Sequence, residues 1–379
     1  MGPRVPRILL SVRLSSFGKL VACEAQMSKL VHSLHIPKSD SKTSEASCAR
    51  QIVVPIKRVL VTGPNGFIGQ NLCRSLVSAG MSVVACVRGE SDASVLGPTS
   101  KSLKICRISG LNHSADLLGA LEDVDAVVHL AGRAHVMHET VADPLTEFRR
   151  VNVEGTEHLA SLAAQSGVAR FIFMSSIKVN GEESKVAPLR ADDPPGYTDP
   201  YGQSKWEAEE RLRAIAGASG MQWVVVRPPL VYGPGVRGNF LSLLQWVSKR
   251  MPLPVGSLDN SRSLVSIFNL CDFILHLLNH PFAVNNCFLV ADEHDISTPD
   301  LVRRIAFALH RVPRIYPCPE SILMAAGVML NRKAAIQRLC SSLVVDRQKA
   351  RDLLGWSARM TIEQGLERTA EWFLSSASV

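Results

Sequence analysis

No stretch of this 379-residue chain is apolar for the ~20 residues that a bilayer crossing takes. The best candidate, residues 322–330, is far too short. A C-x-x-C pair is also missing. The nine cysteines (23, 48, 73, 86, 106, 271, 287, 318 and 340) are scattered and odd in number, and Cys86 lies inside the apolar run 82–87. Cysteines so placed behave as small buried hydrophobes, so a reducing, cytoplasmic setting suits the chain better than a disulfide framework. There is no internal repeat. Acids are scarce only at the start: residues 1–57 hold nine Lys/Arg against three Asp/Glu, a balance of +6. The remaining 33 basic and 31 acidic residues leave +2, so the body is nearly neutral and a nucleic-acid partner loses its main support.

What is present is a soluble globular composition, 46% hydrophobic and 20% charged, in a chain long enough for one large α/β domain or two smaller ones. Residues 1–57 are set apart as a basic leader. Leu20-Val21-Ala22-Cys23 resembles a lipoprotein cleavage box, but Arg13 and Lys19 interrupt the apolar segment it needs. The early shortage of acids also resembles an organellar presequence. The plainer expectation is a poorly ordered tail, dispensable for chemistry, with Met27 as an internal start.

From residue 58 short β-branched runs alternate with helical stretches. Strands are expected at 58–62, 82–87, 102–106, 124–130, 170–174 and 222–226, and helices at 67–79, 116–121, 145–166 and 201–216. Such alternation predicts an α/β fold, a doubly wound Rossmann parallel sheet. After about residue 233, Pro- and Gly-rich connections link mostly helical pieces, expected to form a smaller C-terminal substrate-binding lobe. The division expected is therefore 58–232 for a nucleotide-binding domain, with a substrate-contacting connection at 178–200, and 233–379 for the lobe. Thr361 and Gln364 form a capping box that opens a last helix.

Gly63-Pro64-Asn65-Gly66-Phe67-Ile68-Gly69 lies between the first strand and the first helix. A pyrophosphate site needs this placement: glycines allow close backbone approach, and the helix N-terminus offers free N–H groups to an anion. The second strand ends in Val87-Arg88 rather than in an acid that would bind the ribose hydroxyl. Arg88 can meet a 2′-phosphate, which modestly favours NADP(H), or it can be a plain surface charge. Tyr201 and Lys205 stand four apart on a predicted helix and so share a face. A nearby ammonium would lower the phenol pKa from about 10 and make Tyr201 a usable proton relay. Ser176, at the mouth of the fifth strand, could bond the reacting oxygen. His135-x-x-His138 lacks a third ligand at suitable spacing, so no metal is expected.

In order along the chain stand Thr62-Gly63-Pro64-Asn65-Gly66-Phe67-Ile68-Gly69, His129-Leu130-Ala131-Gly132, Asn152-Val153-Glu154-Gly155-Thr156, Ser175-Ser176, Tyr201-x-x-x-Lys205 and Arg227-Pro228-Pro229-Leu230-Val231-Tyr232-Gly233-Pro234-Gly235. Together these resemble the extended short-chain dehydrogenase/reductases, in their nucleotide-sugar epimerase/dehydratase/reductase branch, over residues 58 to about 375. The resemblance implies a catalytic trio of Ser176, Tyr201 and Lys205. It implies NAD(P) contacts from the Gly-rich loop, Leu130, Ala131, Gly132 and Pro228, and substrate-diphosphate contacts from Arg262 and Asn239. It implies a UDP-sugar substrate and leaves a homodimer open.

Departures from the family pattern are informative. Leu230 replaces a frequent Asn, Gly110 an Asp, and Asn180 a Tyr. Ile177-Lys178 stands where sugar 4,6-dehydratases place Asp-Glu, which disfavours dehydration. Residues 175–183 look closest to 4-ketoreductases that form UDP-N-acetylquinovosamine. A UDP-4-keto-6-deoxy-N-acetylhexosamine 4-reductase is thus the first expectation. A UDP-glucose or UDP-N-acetylglucosamine 4-epimerase is the alternative, and a non-catalytic cofactor-binding sensor the third.

Overall fold

The computed structural model describes residues 55–133, 143–331 and 333–376. Most of the leader, together with His135 and His138, lies outside them. Pro55–Lys57 belong to the body: Ile56 is buried and its N–H donates to Asn279 Oδ1 over 3.1 Å.

The central strands form because their residues suit burial on both faces. β1 (Arg58–Thr62) is buried at every position after the first. Such β-branched runs are what the middle of a parallel sheet requires. α1 (Phe67–Ser78) turns Gly69, Leu72, Cys73 and Leu76 inward. It stops at Gly80, whose φ of +80° lets Met81 N–H bond back to the Leu76 carbonyl over 3.0 Å.

β2 (Ser82–Arg88), β3 (Leu103–Ile108), α2 (Ser114–Leu121) and β4 (Ala126–His129) follow. The expected helix over 145–166 is broken in three: α3 (Pro144–Phe148), a π-helical segment at Arg149–Glu154, and α4 (Gly155–Gln165). The side chain of Asn152 in that segment bonds both the N–H and the carbonyl of Arg133, contacts that sequence periodicity cannot reveal. Then come β5 (Arg170–Met174), the long α5 (Pro200–Ser219), β6 (Gln222–Arg227), β7 (Leu230–Tyr232), α6 (Gly238–Ser248), β8 (Leu264–Ser266), α7 (Ile267–Asn279) and β9 (Asn286–Leu289). Helices α8 (Thr298–Ala308), α9 (Glu320–Met329), α10 (Lys333–Cys340), α11 (Gln348–Leu354) and α12 (Ile362–Ser376) complete the chain.

The main sheet runs β3-β2-β1-β4-β5-β6-β9, parallel throughout. This is the doubly wound Rossmann arrangement. Strand order reverses between β1 and β4, and a ligand crevice opens outside the carboxyl ends of such a pair. The pieces after residue 233 are mostly helical, as expected, with two short strands among them: β8 pairs with β7, and β9 joins the main sheet beside β6. Its four residues, Asn-Cys-Phe-Leu, are too few to carry a readable period. α7 returns with it, and Leu270, Phe273 and Ile274 share a core with Val59 and Leu72. A separate apolar core gathers Tyr232 from β7 with Phe240, Leu301, Ile305 and Leu366 from the later helices. α12 opens as expected, with Thr361 N–H donating to Gln364 Oε1 (3.0 Å) and Gln364 N–H to Thr361 Oγ1 (3.3 Å). Among the described residues no helix is long and apolar enough to cross a membrane.

Candidate active site

A cleft of about 460 Å³ lies at the reversal point. Gly63, Asn65, Gly66, Arg88, Leu130, Ala131 and Gly132, all expected there, line it. Two glycines are needed for stated reasons. Gly63 has φ +65°, and a Cβ there would stand 3.0 Å from the Ala131 nitrogen. A Cβ on Gly69 would collide with the Gly63 carbonyl oxygen, so the loop could not fold onto α1. Phe67 and Ile68 pack their side chains against the core instead of lining the cleft. Their place at the first turn of α1 leaves their main-chain N–H groups as anion donors. The sequence reading missed Asn112, Arg150 and Val151, which also line the cleft. They sit in the loop after β3 and in the π-helical segment, where no motif marks them.

The trio converges from two elements. Ser176 follows β5 and its Oγ accepts from Lys178 N–H over 3.3 Å. Tyr201 and Lys205 lie on α5, whose start is fixed by sequence: Asp199 Oδ1 accepts from Gly202 N–H over 2.7 Å, and Pro200 occupies the first turn. Burial pushes the Tyr201 phenol up to about 12, while the neighbouring Ser176 hydroxyl pulls it down and Asp199 raises it. Lys205 Nζ donates to the Met174 carbonyl (3.0 Å) and lies 4.6 Å over the Phe173 ring. Burial lowers its pKa to about 8, against a smaller upward pull from Glu209. Gly132 lets Lys205 approach: a Cβ there would be 3.3 Å from Nζ.

Beneath the trio, a buried polar chain joins β1 to α5. Thr62 Oγ1 accepts from the N–H groups of Leu130 (3.2 Å) and Ala131 (3.1 Å), so its proton faces His129 Nδ1 at 2.6 Å. His129 Nε2 is then the protonated nitrogen and meets Thr156 Oγ1 at 3.0 Å. Thr156 donates to the Asn152 carbonyl (2.6 Å), and Asn152 Nδ2 to Ser204 Oγ (3.0 Å).

Lys178 pairs with Asp199 and with Glu182 (2.9 Å), so the dehydratase acids are replaced by a cation tied to the cap of α5. Asn180, which replaces a family Tyr, is structural: buried, it accepts from Arg227 (2.9 Å) and donates to the Arg190 carbonyl (2.8 Å). Pro228 is buried, and its carbonyl accepts from Ile177 N–H over 3.1 Å, beside Ser176. Arg262 does not stand free: its guanidinium donates to the carbonyls of Arg338 (2.6 Å) and Ser341 (2.8 Å). Asn239 is exposed at the start of α6.

A family model described as NAD dependent epimerase/dehydratase matches residues 59–291. The chain belongs to that family. A UDP-glucose 4-epimerase of Vibrio cholerae is 42% identical over 323 residues, 84% of this chain and 96% of that protein. The crystal structure of a Thermotoga maritima UDP-glucose 4-epimerase with UDP-glucose superposes with TM-score 0.68 at 21% identity, covering 84% of this chain and 99% of that one. MoeE5 in complex with UDP-glucuronic acid and NAD gives 0.67 at 26% identity, with 84% and 99% covered. The protein is thus an NAD-dependent enzyme of the nucleotide-sugar epimerase/dehydratase kind. The family's cofactor fits this chain's own backbone, since the approaches at Gly63 and Gly69 leave a bare main-chain cradle at the helix N-terminus.

Proposed function

We propose that this enzyme interconverts the C4 epimers of a UDP-linked hexose, with UDP-glucose or UDP-N-acetylglucosamine as the substrate class. One observation carries the reading, the likeness to the Vibrio UDP-glucose 4-epimerase over 96% of that protein's length. The site supports it. Gly63, Asn65, Gly66, Leu130, Ala131 and Gly132 would hold the dinucleotide, with the Phe67 and Ile68 N–H groups on its pyrophosphate. When bound, that cofactor supplies the uptake and return of the C4 hydride. Tyr201 Oη would take the 4-hydroxyl proton and give it back, while Ser176 Oγ holds the same oxygen. A phenol pushed up to about 12 by burial is a poor base at neutral pH. The Lys205 ammonium, which spends one of its three N–H donors on the Met174 carbonyl, would supply the positive charge that stabilises the phenolate. Arg262 and Asn239 would meet the diphosphate, Arg262 by exchanging a carbonyl partner for it.

The reductase expected from sequence becomes the second reading. Of its three sequence signals, residues 175–183, Arg88 and Leu230, the last two are exposed, which weakens them as evidence about the reacting centre. Arg88 does line the cleft, and that favours an exchangeable phosphorylated cofactor. The test incubates the protein with UDP-glucose, UDP-N-acetylglucosamine and a UDP-4-keto-6-deoxy-N-acetylhexosamine, following reduced-nicotinamide absorbance and products together. C4 epimers formed with no net cofactor consumption support epimerisation. Stoichiometric NAD(P)H oxidation on the keto sugar alone overturns it in favour of reduction.

A further inference from the structure

The most apolar run of the chain, residues 322–330, is on the outside. α9 turns only Leu323 and Gly327 fully inward, with Gly327 tight against Ile336 of α10. Four other side chains face solvent: Ile322 (58% exposed), Val328 (60%), Met329 (88%) and Leu330 (71%). Tyr316, just before the helix, is half exposed. Isolated apolar side chains on a surface need no explanation, but a cluster on one hairpin marks a docking face.

Charge decides what that face fits. Residues 310–338 contain Arg311, Arg314, Arg332, Lys333 and Arg338 against a single acid, Glu320. Arg311, Arg314 and Lys333 are exposed. A second copy docked face to face would bring two basic rims together, which like-charge repulsion opposes. An anionic bilayer surface satisfies both features at once, taking the apolar tip below the headgroups while the cations meet lipid phosphates.

We infer that the α9–α10 hairpin is a docking element for an anionic phospholipid surface. It would hold the enzyme on the membrane without crossing it. The hairpin is joined to the site region, because the Arg338 and Ser341 carbonyls at the end of α10 hold the Arg262 guanidinium. Docking therefore sets the candidate diphosphate contact beside the lipid surface. The inference is independent of which sugar is the substrate.

The test is vesicle flotation of the full chain on mixed phosphatidylglycerol–phosphatidylcholine vesicles and on pure phosphatidylcholine. Binding should require the anionic lipid and weaken as salt rises. Met329→Glu with Leu330→Glu should lower binding by at least roughly tenfold, with circular dichroism and thermal midpoint unchanged. Arg314→Gln and Lys333→Gln should each lower it about fivefold. Parent binding no better to anionic than to neutral vesicles would overturn the proposal. So would full binding by the Glu double variant, which would assign membrane affinity to another segment such as the basic leader. A parent that ignores vesicles yet sediments as a dimer, with the Glu variant monomeric, would assign the face to a second copy.

Discussion

Asn152 Nδ2 donates to Ser204 Oγ over 3.0 Å, and that hydroxyl donates to the carbonyl of Tyr201 over 2.8 Å. The π-helical segment therefore grips the first turn of the helix that carries the phenol. Asn152→Ala should release this grip and lower kcat by about 10²-fold through misplacement of Tyr201, with KM little changed. Steady-state kinetics beside a denaturation curve would check it. An unchanged kcat in a folded variant would reduce Asn152 to a packing role.

Tyr201→Phe keeps the ring that packs against Phe148, 5.9 Å between centroids, and deletes only the relay oxygen. Turnover should fall roughly 10²–10⁴-fold while cofactor affinity and fold persist. Near-parental turnover would remove Tyr201 from the chemistry.

Arg88 ends β2 on the rim of the cleft. In this NAD-dependent enzyme Arg88 is expected to let NADPH bind as well, and Arg88→Ala to weaken NADPH more than NADH, measured by fluorescence titration at one salt concentration. Equal losses for the two cofactors would make Arg88 a plain surface charge.

His129 gives a pH signature to stability. Burial, and secondarily the Lys205 charge, lower its pKa to about 3, and Thr62 already aims a donor at its unprotonated nitrogen. Its folded pKa lies below the unfolded value of about 6.5. The stabilising contribution is therefore complete above pH ~6.5 and is lost as pH falls toward 3, because the unfolded chain binds a proton that the folded one refuses. Urea unfolding should show up to about 1.4 kcal/mol lost per pH unit across that window from this group. His129→Gln should lack that component. An identical acid slope in the variant would assign it to other groups.

Much of this was legible in residue order. Strands at 58–62 and 170–174 fall where β-branched and aromatic runs put them, and Gly80 ends α1 as a glycine stop should. The Gly-rich loop declared itself through its place between a strand and a helix. Contacts made at long range were hidden. Nothing in Asn152 announces a bond to the Arg133 main chain, and the four residues of β9 become a strand only because β6 leaves an edge to pair. Arg262 reads as a free cation in sequence, yet two carbonyls some 80 residues downstream engage it. The Tyr201–Lys205 spacing correctly gave a shared helix but not the Met174 carbonyl that accepts from the ammonium.

Ser175, the neighbour of Ser176, donates to Glu209 Oε1 over 2.6 Å, and Glu209 lies one turn beyond Lys205 on α5. That same buried carboxylate receives Arg227 from β6 (2.6 Å) and Arg213 (2.7 Å). The strand that presents Ser176 and the helix that presents Tyr201 and Lys205 are thus cross-braced through one shared anion, just outside the reacting atoms. Removing only its charge would strand Arg227 in the interior, and losses of this kind run to ~3–5 kcal/mol. A tool jig works in this way: the parts that must meet are clamped beside the working point, leaving it clear. Substrate-facing loops can then vary over evolutionary time without the trio drifting out of alignment.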